Sequence, residues 1–295
     1  MNTAFEKIAE ITYYRRNIAW CELVYWRELI KNGFKPRKTI LFYPTKPLSW
    51  HILYSICHML GYRMTNDPKA HFDVAVAFQD ATVRPSDKIL DEIAAHHKVI
   101  NINCADIGKD RVDRIFEEVF GYGVAVDPRT YKGAYVKKPV LNARHSVEAF
   151  GLLTEPSEPE PGYVYQKLID NKSGAHSATD VRTFIFGSAI PFLLYRKKDI
   201  SDRFNDDTII ATRADVSDFL TEKEHADVLR FCRAFGLDYG ELDILRDNSD
   251  GKIYIVDVNN TPSGPQPGIH ITRPAYARFR RELAQAFETL IKDYQ

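Results

Sequence analysis

The sequence predicts an α/β protein, a small parallel sheet interleaved with helices and followed by a larger body of antiparallel hairpins. Three observations carry this. Between Lys38 and Asn103 short apolar runs alternate with helical stretches, the pattern of βαβ units. Beyond Val181 the apolar runs come in pairs around polar or glycine-containing centres, the pattern of hairpins. Residues 3 to 32 contain neither glycine nor proline, and Gly33 closes a helical stretch.

That first stretch places Phe5, Ile8, Ile11, Tyr14 and Ile18 at three- and four-residue spacings, and Leu23, Trp26 and Ile30 are read as continuing the same face. Trp20, Trp26, Arg15 and Arg16 raise docking to a membrane surface or a partner. The mixed charges favour packing on the protein's own body. Lys38 to Tyr43, Phe72 to Phe78 and Lys98 to Asn103 read as strands, with helices over Leu48 to Leu60 and Asp87 to Ala95. No GxGxxG follows any of these strands, which argues against a dinucleotide site. His51, His58, His71, His96 and His97 show no metal-ligand spacing and read as scattered histidines.

A helix over Asp110 to Phe120 leads to a strand, Tyr135 to Val140, holding Lys137, Lys138 and Pro139. Thr154 to Gly162 is an extended, solvated, proline-rich connector before a strand over Tyr163 to Ile169. Val181 to Phe186 and Ile190 to Arg196 form a hairpin about Gly187, Ser188 and Ala189. It places Arg182 and Arg196 on one face with Phe184, Phe186, Phe192 and Leu194, and Asp180 opposite Arg196. Guanidinium groups on so aromatic a face need partners, either aspartates in salt bridges or the developing negative charge of a phosphoryl group. Thr221 and Glu224 form a capping box for a helix to Phe235. A closing helix, Tyr276 to Tyr294, buries Phe279, Leu283, Ala286, Phe287 and Leu290, with His270 and Arg273 just before it.

The most informative stretch is Gly240 to Pro265. Leu242 to Leu245 and Ile253 to Val258 flank Asp247, Asn248, Ser249, Asp250 and Gly251, as in a β-hairpin. Side-chain alternation groups Glu241, Asp243 and Leu245 on one strand, and Ile253, Ile255, Asp257 and Asn259 on the other. A loop that sets odd positions opposite odd ones brings Asp243 and Asp257 together; an even-length loop without a bulge separates them. Two carboxylates and an amide oxygen on one sheet face suit a hard divalent cation, and Mg²⁺ takes such ligands together with substrate phosphates. The alternative is two solvated aspartates, although Asp is depleted in strands.

At these residues the sequence resembles the ATP-grasp superfamily, whose closing signature is an aspartate on one strand, then an acidic residue, a spacer and an asparagine on the next. The resemblance covers roughly the last 190 residues well and the preceding 70 loosely. It implies two α+β lobes (residues 109–165 and 166–295 of an ATP-grasp domain 109–295), preceded by a Rossmann-like domain (38–108) and an N-terminal helical segment (1–37). It implies ATP and Mg²⁺, with Asp243, Asp257 and Asn259 as metal ligands. Asp257 is a departure, the family more often having Glu there. Lys138, just before a proline, is implied on the ATP phosphates, with Lys137 on the opposite face. Gln166, Lys167 and Ile169 are implied at the adenine edge, Asp170 at the ribose, and Arg182, Arg196 and Asn259 in catalysis. Asn260 to Gly264 is implied beside the acceptor substrate. The family's glycine-rich flap is missing. Arg144, His145 and Ser146 stand in its place, and Arg203 and Asn205 lie in a further polar loop.

The implied activity is a ligase joining a carboxylate to an amine or similar nucleophile through an acyl phosphate, with small-molecule substrates. A kinase acting on a hydroxyl and a nucleotide-binding module without turnover are the alternatives. The whole chain is compatible with this. It has 295 residues, 44% apolar content and zero formal net charge, without the basic excess of a nucleic-acid binder. No apolar run approaches a membrane span. Four dispersed cysteines, and Glu6, Lys7 and Glu10 at the N-terminus, point to a reduced, cytoplasmic protein without a secretory signal.

Overall fold

The structure is a computed structural model, and it describes residues 4–141, 151–201, 208, 210–265 and 271–295. The chain runs through α1 (Ala4–Lys31), β1 (Lys38–Pro44), α2 (Ile52–Leu60), β2 (Tyr62–Thr65), β3 (Val74–Phe78), α3 (Lys88–His96), β4 (Val99–Ile100) and α4 (Lys109–Phe120). It continues through β5 (Tyr135–Pro139), β6 (Gly151–Leu153), β7 (Tyr163–Lys167), β8 (Lys172–Gly174), β9 (Ser177–Phe186), β10 (Leu193–Asp199) and β11 (Ile210–Ala214). It ends with α5 (Glu222–Phe235), β12 (Tyr239–Arg246), β13 (Ile253–Asn259) and α6 (Arg273–Leu290).

Three sheets result. The first is parallel, in the order β2-β1-β3-β4, as the alternation of strands and helices predicts. Its outermost strand is shorter than the expected Lys98 to Asn103. Asn101 adopts a left-handed backbone (φ 60°), and its side chain binds the backbone of Asp238 and Tyr239, which turns the chain out of the sheet. Helix α2 also starts later than Leu48, because the Leu48 N–H donates to His51 Nδ1 and forms a turn ahead of it. β2, β6, β8 and β11 were not expected from the sequence. They are three to five residues long, too short for a period to show.

The second sheet is three-stranded and antiparallel, β6-β5-β7; the third is six-stranded and antiparallel, β11-β10-β9-β12-β13 with β8 on β9. Alternation along β9 organises the third sheet. Val181 and Ile185 point into one core with Phe116 of α4 and Phe231 and Phe235 of α5. Phe184 and Phe186 point the other way, into a core with Phe192, Ile56 of α2 and Phe279, Leu283 and Phe287 of α6. On that same face Ala178, Asp180 and Arg182 line a cleft. α5 begins at the expected capping box, with Thr221 as N-cap. α6 starts at the N-cap Thr272 and gives way at Ile291 to a short 3-10 helix, so the expected closing helix is two segments.

α1 is one continuous helix, and the facing read from the sequence is corrected. Cys21, Val24 and Leu29 are buried, whereas Leu23, Trp26 and Ile30 stand exposed. At 100° per residue positions 21, 24 and 29 fall on the opposite side from 23, 26 and 30. Trp20 lies against the Arg280 guanidinium of α6, 3.8 Å from its ring centroid, and so is part of the body. Among the described residues no helix is long and apolar enough to cross a membrane. All four cysteines are buried and unpaired.

Candidate functional site

A cleft of about 520 Å³ lies between the β5–β7 layer and the six-stranded sheet, closed at one end by the loop after β3. Its floor is built by β12 and β13. The loop between them, residues 247–252, has six residues, which in a plain hairpin would set Asp243 opposite Val256. A β-bulge intervenes: Ile244 pairs with Ile255, but Asp243 pairs with Asp257. The extra residue is Val256, and both Val256 and Asp257 line the cleft while Ile253 and Ile255 stay in the core. The expected grouping of Ile253 and Ile255 with Asp257 is therefore wrong, because the bulge breaks the alternation between them. The pairing of the two aspartates is right. Gly240 admits the end of β13, since a Cβ there would sit 2.5 Å from the Asn259 carbonyl oxygen.

The two aspartates meet different cations. Arg182 Nε donates to Asp243 Oδ1 at 3.1 Å, and Arg196 Nη2 donates to Oδ2 at 2.9 Å. Arg196 Nε also donates to Asp180 Oδ1 at 2.6 Å, and Lys198 lies 2.9 Å from Asp180 Oδ2. Arg182 reaches Glu241 at 3.4 Å. The result is an alternating chain, Lys198–Asp180–Arg196–Asp243–Arg182–Glu241, running across three strands. Burial pushes the Asp243 carboxyl up, but the two guanidinium groups outweigh it and hold it well below the usual carboxylate range. Glu241 is more deeply buried, and burial outweighs Arg182 to push it up to about 7.

Asp257 instead forms an ion pair with Lys109, 3.2 Å from Oδ1 to Nζ, at the start of α4. Burial raises its carboxyl, Lys109 opposes, and the Asp243 charge adds to the rise. Its Oδ1 is buried without a well-directed hydrogen bond. Asn259 Oδ1 accepts from the Thr261 N–H at 2.9 Å.

From the opposite layer Lys138 faces the cleft, and Lys137 faces away to Glu160 and the Tyr163 ring, as expected. Burial and the nearby Lys109 charge lower Lys138 to about 8, with Asp113 opposing. Asp113 is buried on α4, where desolvation raises it to about 7 against the pull of Lys138. It accepts from Gln166 Nε2 at 2.7 Å.

Gln166, Lys167 and Ile169 line the cleft. Gln166 Oε1 is buried with no partner among the described residues. Lys167 is committed to the β12–β13 loop: its Nζ lies 2.6 Å from the Tyr254 hydroxyl, 3.3 Å from Asp247 and 3.5 Å from Asp250. Asp170 does not line the cleft. Its carboxylate accepts from the Lys172 N–H at 3.4 Å and its carbonyl from the Asn248 N–H, while Asn171 takes the lining position. Arg196 is buried behind Asp243 rather than at the cleft surface.

Arg144, His145, Ser146, Arg203, Asn205 and His270 lie outside the described residues, as does the side chain of Arg273. Sequence reasoning missed Lys109, Lys198, Asp113 and Asp80. Lys109 opens α4 beside Gly108, and only the packing of that helix on β13 brings it to Asp257. Asp80 and Lys198 sit in ordinary contexts that only the tertiary structure brings to the cleft, and Asp113 stands behind its wall, bonded to Gln166.

No protein-family model matches the sequence, and no curated protein sequence matches it either. Solved structures do. The chain aligns with the ATP-grasp ligase PsnB complexed with a minimal precursor, Mg and ADP, at 12% identity, covering 86% of this chain and 98% of that one with a TM-score of 0.53. It aligns with a D-alanine–D-alanine ligase from Bacillus anthracis at 13% identity, covering 86% and 96%, also with a TM-score of 0.53. The chain has the ATP-grasp fold. PsnB complexed with its precursor peptide PsnA2 and AMPPNP gives the same result, at 13% identity, coverage of 85% and 96% and a TM-score of 0.51. Against two other PsnB complexes the chain spans slightly under two thirds of their length, 66% and 65%.

Whether this ATP-grasp cleft suits a divalent cation is decided by its donors. Asp243, Asp257 and Asn259 offer oxygen, the choice of a hard cation, and the buried Asp257 Oδ1, though 3.2 Å from Lys109, has no well-directed hydrogen bond. Among the described residues no three His, Cys, Asp or Glu side chains gather into a ready-made cage. The residues present fit Mg²⁺.

Proposed function

We propose that this protein is an ATP-dependent ligase that activates a carboxylate as its acyl phosphate and passes the acyl group to an amine or similar nucleophile. The observation that carries the reading is the register pair Asp243–Asp257, set by a bulge on the floor of a cleft whose walls supply Lys109, Lys138 and Arg182. Such a floor needs cations, and such walls need anions; a triphosphate with its metal satisfies both. ATP-grasp ligases of the same fold, complexed with ATP analogues, ADP or Mg, support it.

In this reading Lys138 and Lys109 offset charge on the triphosphate, and Gln166 and Ile169 meet the base edge. Asp243, Asp257 and Asn259 would hold Mg²⁺, which when bound neutralises charge on the phosphate oxygens. A carboxylate oxygen of the first substrate attacks the γ-phosphorus. The new O–P bond forms as the bond to ADP breaks, with Arg182 placed to hold the transferring group and Arg196 to hold Asp243. The nucleophile then attacks the acyl carbon. The C–N bond forms, the C–O bond to phosphate breaks, and the nitrogen releases a proton. The chain's work is positioning and charge stabilisation.

The test is product analysis with ATP, Mg²⁺ and a panel of carboxylates, with hydroxylamine as trapping nucleophile. Equal release of ADP and phosphate, with a hydroxamate, is expected. A phosphoester without free phosphate would make it a kinase. Nucleotide binding without ADP release across the panel would make it a binding module.

A further inference from the structure

Far from the cleft, α1 has two faces, and the body of the protein uses one of them. The helix packs on α2 and buries Cys21, Val24 and Leu29, while Asn17 Nδ2 donates to the Ser49 carbonyl at 3.2 Å. Trp20 against Arg280 closes one margin of this contact, and Glu22, 3.5 Å from His58 Nε2, closes the other. Between those margins, on the outside, Ala19, Leu23, Trp26 and Ile30 fall within an arc of about 60° along roughly 16 Å of helix. Phe34 follows just past the helix end. Leu23, Trp26, Ile30 and Phe34 are between 54% and 71% exposed, so the row contributes little to the core.

Phe34 makes the point most sharply. Its backbone is left-handed (φ 63°), a conformation its Cβ disfavours, and its N–H donates to the Leu29 carbonyl at 2.7 Å. Glycine or asparagine would suit that turn better, yet a phenyl ring stands there and points at solvent. The charges beside the row are mostly positive. Arg27 and Lys31 are 63% and 61% exposed, and Arg15 and Lys35 are exposed as well. Of the two acids between Arg15 and Lys35, Glu28 is largely covered and accepts from both Arg27 and Lys31, and Glu22 is taken by His58.

We propose that the outer face of α1 docks the protein on an anionic lipid surface, with Leu23, Trp26, Ile30 and Phe34 entering the headgroup region and Arg27, Lys31 and Lys35 meeting lipid phosphates. Shape and charge both choose this partner. The exposed ridge of a helix is convex, and a lipid surface yields to an apolar ridge without a matching groove. A second copy of the chain would bring the same excess of cations to the contact, whereas an anionic surface answers it. An indole such as that of Trp26 also suits the headgroup level, apolar over most of its area and polar at one edge. The proposal stands apart from the ligase reading, because no residue of the cleft takes part.

The experiment uses the full chain with two kinds of vesicle, phosphatidylcholine alone and phosphatidylcholine containing about one third phosphatidylserine. Co-sedimentation is expected to show binding to the mixed vesicles at least tenfold stronger than to the neutral ones. That binding should fall at least fivefold between low and high salt, and tryptophan emission should shift to the blue on binding. Replacing the apolar row by Leu23→Gln, Trp26→Gln and Ile30→Gln should lower it at least tenfold. Replacing the cations by Arg27→Gln, Lys31→Gln and Lys35→Gln should reduce binding on mixed vesicles to the level of neutral ones. Phe34→Asn, a residue better suited to its backbone, should weaken binding about threefold without lowering Tm, so the test does not depend on the triple variants folding. No binding to mixed vesicles, equal binding to neutral ones, or undiminished binding by well-folded variants would overturn the proposal. So would a lipid-free dimer in sedimentation velocity that the apolar substitutions dissolve, because a second copy would then occupy the face.

Discussion

Asp243 and Asp257 face each other across one register pair, yet they belong to two differently built regions. Asp243 sits in a prebuilt ionic chain on β9, β10 and β12, where each charge is answered by the next. Asp257 sits on the outer strand, where its Oδ1 meets a single lysine from α4. Their carboxyls move in opposite directions, Asp243 down and Asp257 up. The same residue type on the same sheet thus answers two guanidinium groups in one case and a single ammonium in the other. What separates them is the cation count of the neighbouring element.

The comparison breaks most directly at Asp257. Asp257→Ala should lower Mg²⁺-dependent AMPPNP affinity by roughly a thousandfold, on the order of 4 kcal/mol, and leave the far-UV circular dichroism unchanged. Undiminished affinity by calorimetry would remove its assignment. Asp243→Asn should lower that affinity too, and unlike Asp257→Ala it should also destabilise the fold. With Arg196 reduced to Asp180 alone and Arg182 to Glu241, the break in the buried chain should cost the fold about 3 kcal/mol in chemical denaturation. A variant as stable as the wild type would mean that the ionic chain re-forms around the amide.

Smaller effects sharpen the contrast on the facing layer. Lys138→Met should weaken AMPPNP binding about tenfold. In the wild type the same affinity should fall as pH rises through about 8, where the Lys138 ammonium loses its proton. A flat pH profile would detach Lys138 from the phosphates. Asp113→Asn probes the buried carboxyl behind it. The folded-state pKa of Asp113 is raised to about 7, so between roughly pH 4 and 7 the folded state binds the proton that the unfolded state releases. Stability from this group is fully present below that window, falls as pH rises through it, and stays low above. The asparagine should remove that slope and raise Tm at pH 8 by about 2 °C. A melt that keeps the slope would place its origin elsewhere.

Much of this was legible in the sequence because period-two alternation and short turns are local properties. The hairpin about Gly187, the placement of Asp180 opposite Arg196 and the Thr221 cap follow from such rules, whereas the choice of Lys138 over Lys137 for the cleft came from the family resemblance. The ATP-grasp fold was legible from the Asp243, Asp257 and Asn259 spacing. The failures are equally physical. The facing of α1 was misread because its apolar residues lie on both sides, and only the position of α2 selects Cys21, Val24 and Leu29. Grouping Ile255 with Asp257 assumed an unbroken strand. Lys109 and Asp80 belong to the site through tertiary contacts with β13 and its turn, which no spacing encodes.

The bulge at Val256 has a consequence for how such a protein can change. In an ordinary hairpin, adding one residue at the tip inverts every side chain along the returning strand, so the far end is hostage to the near one. Here a local insertion resets the parity midway. The six-residue tip is left to grip the β7 strand and the segment after it through Asp247, Asn248 and Asp250, while the other end of the same ladder keeps Asp257 and Asn259 turned inward. One irregular residue lets a single hairpin carry two independently adjustable ends.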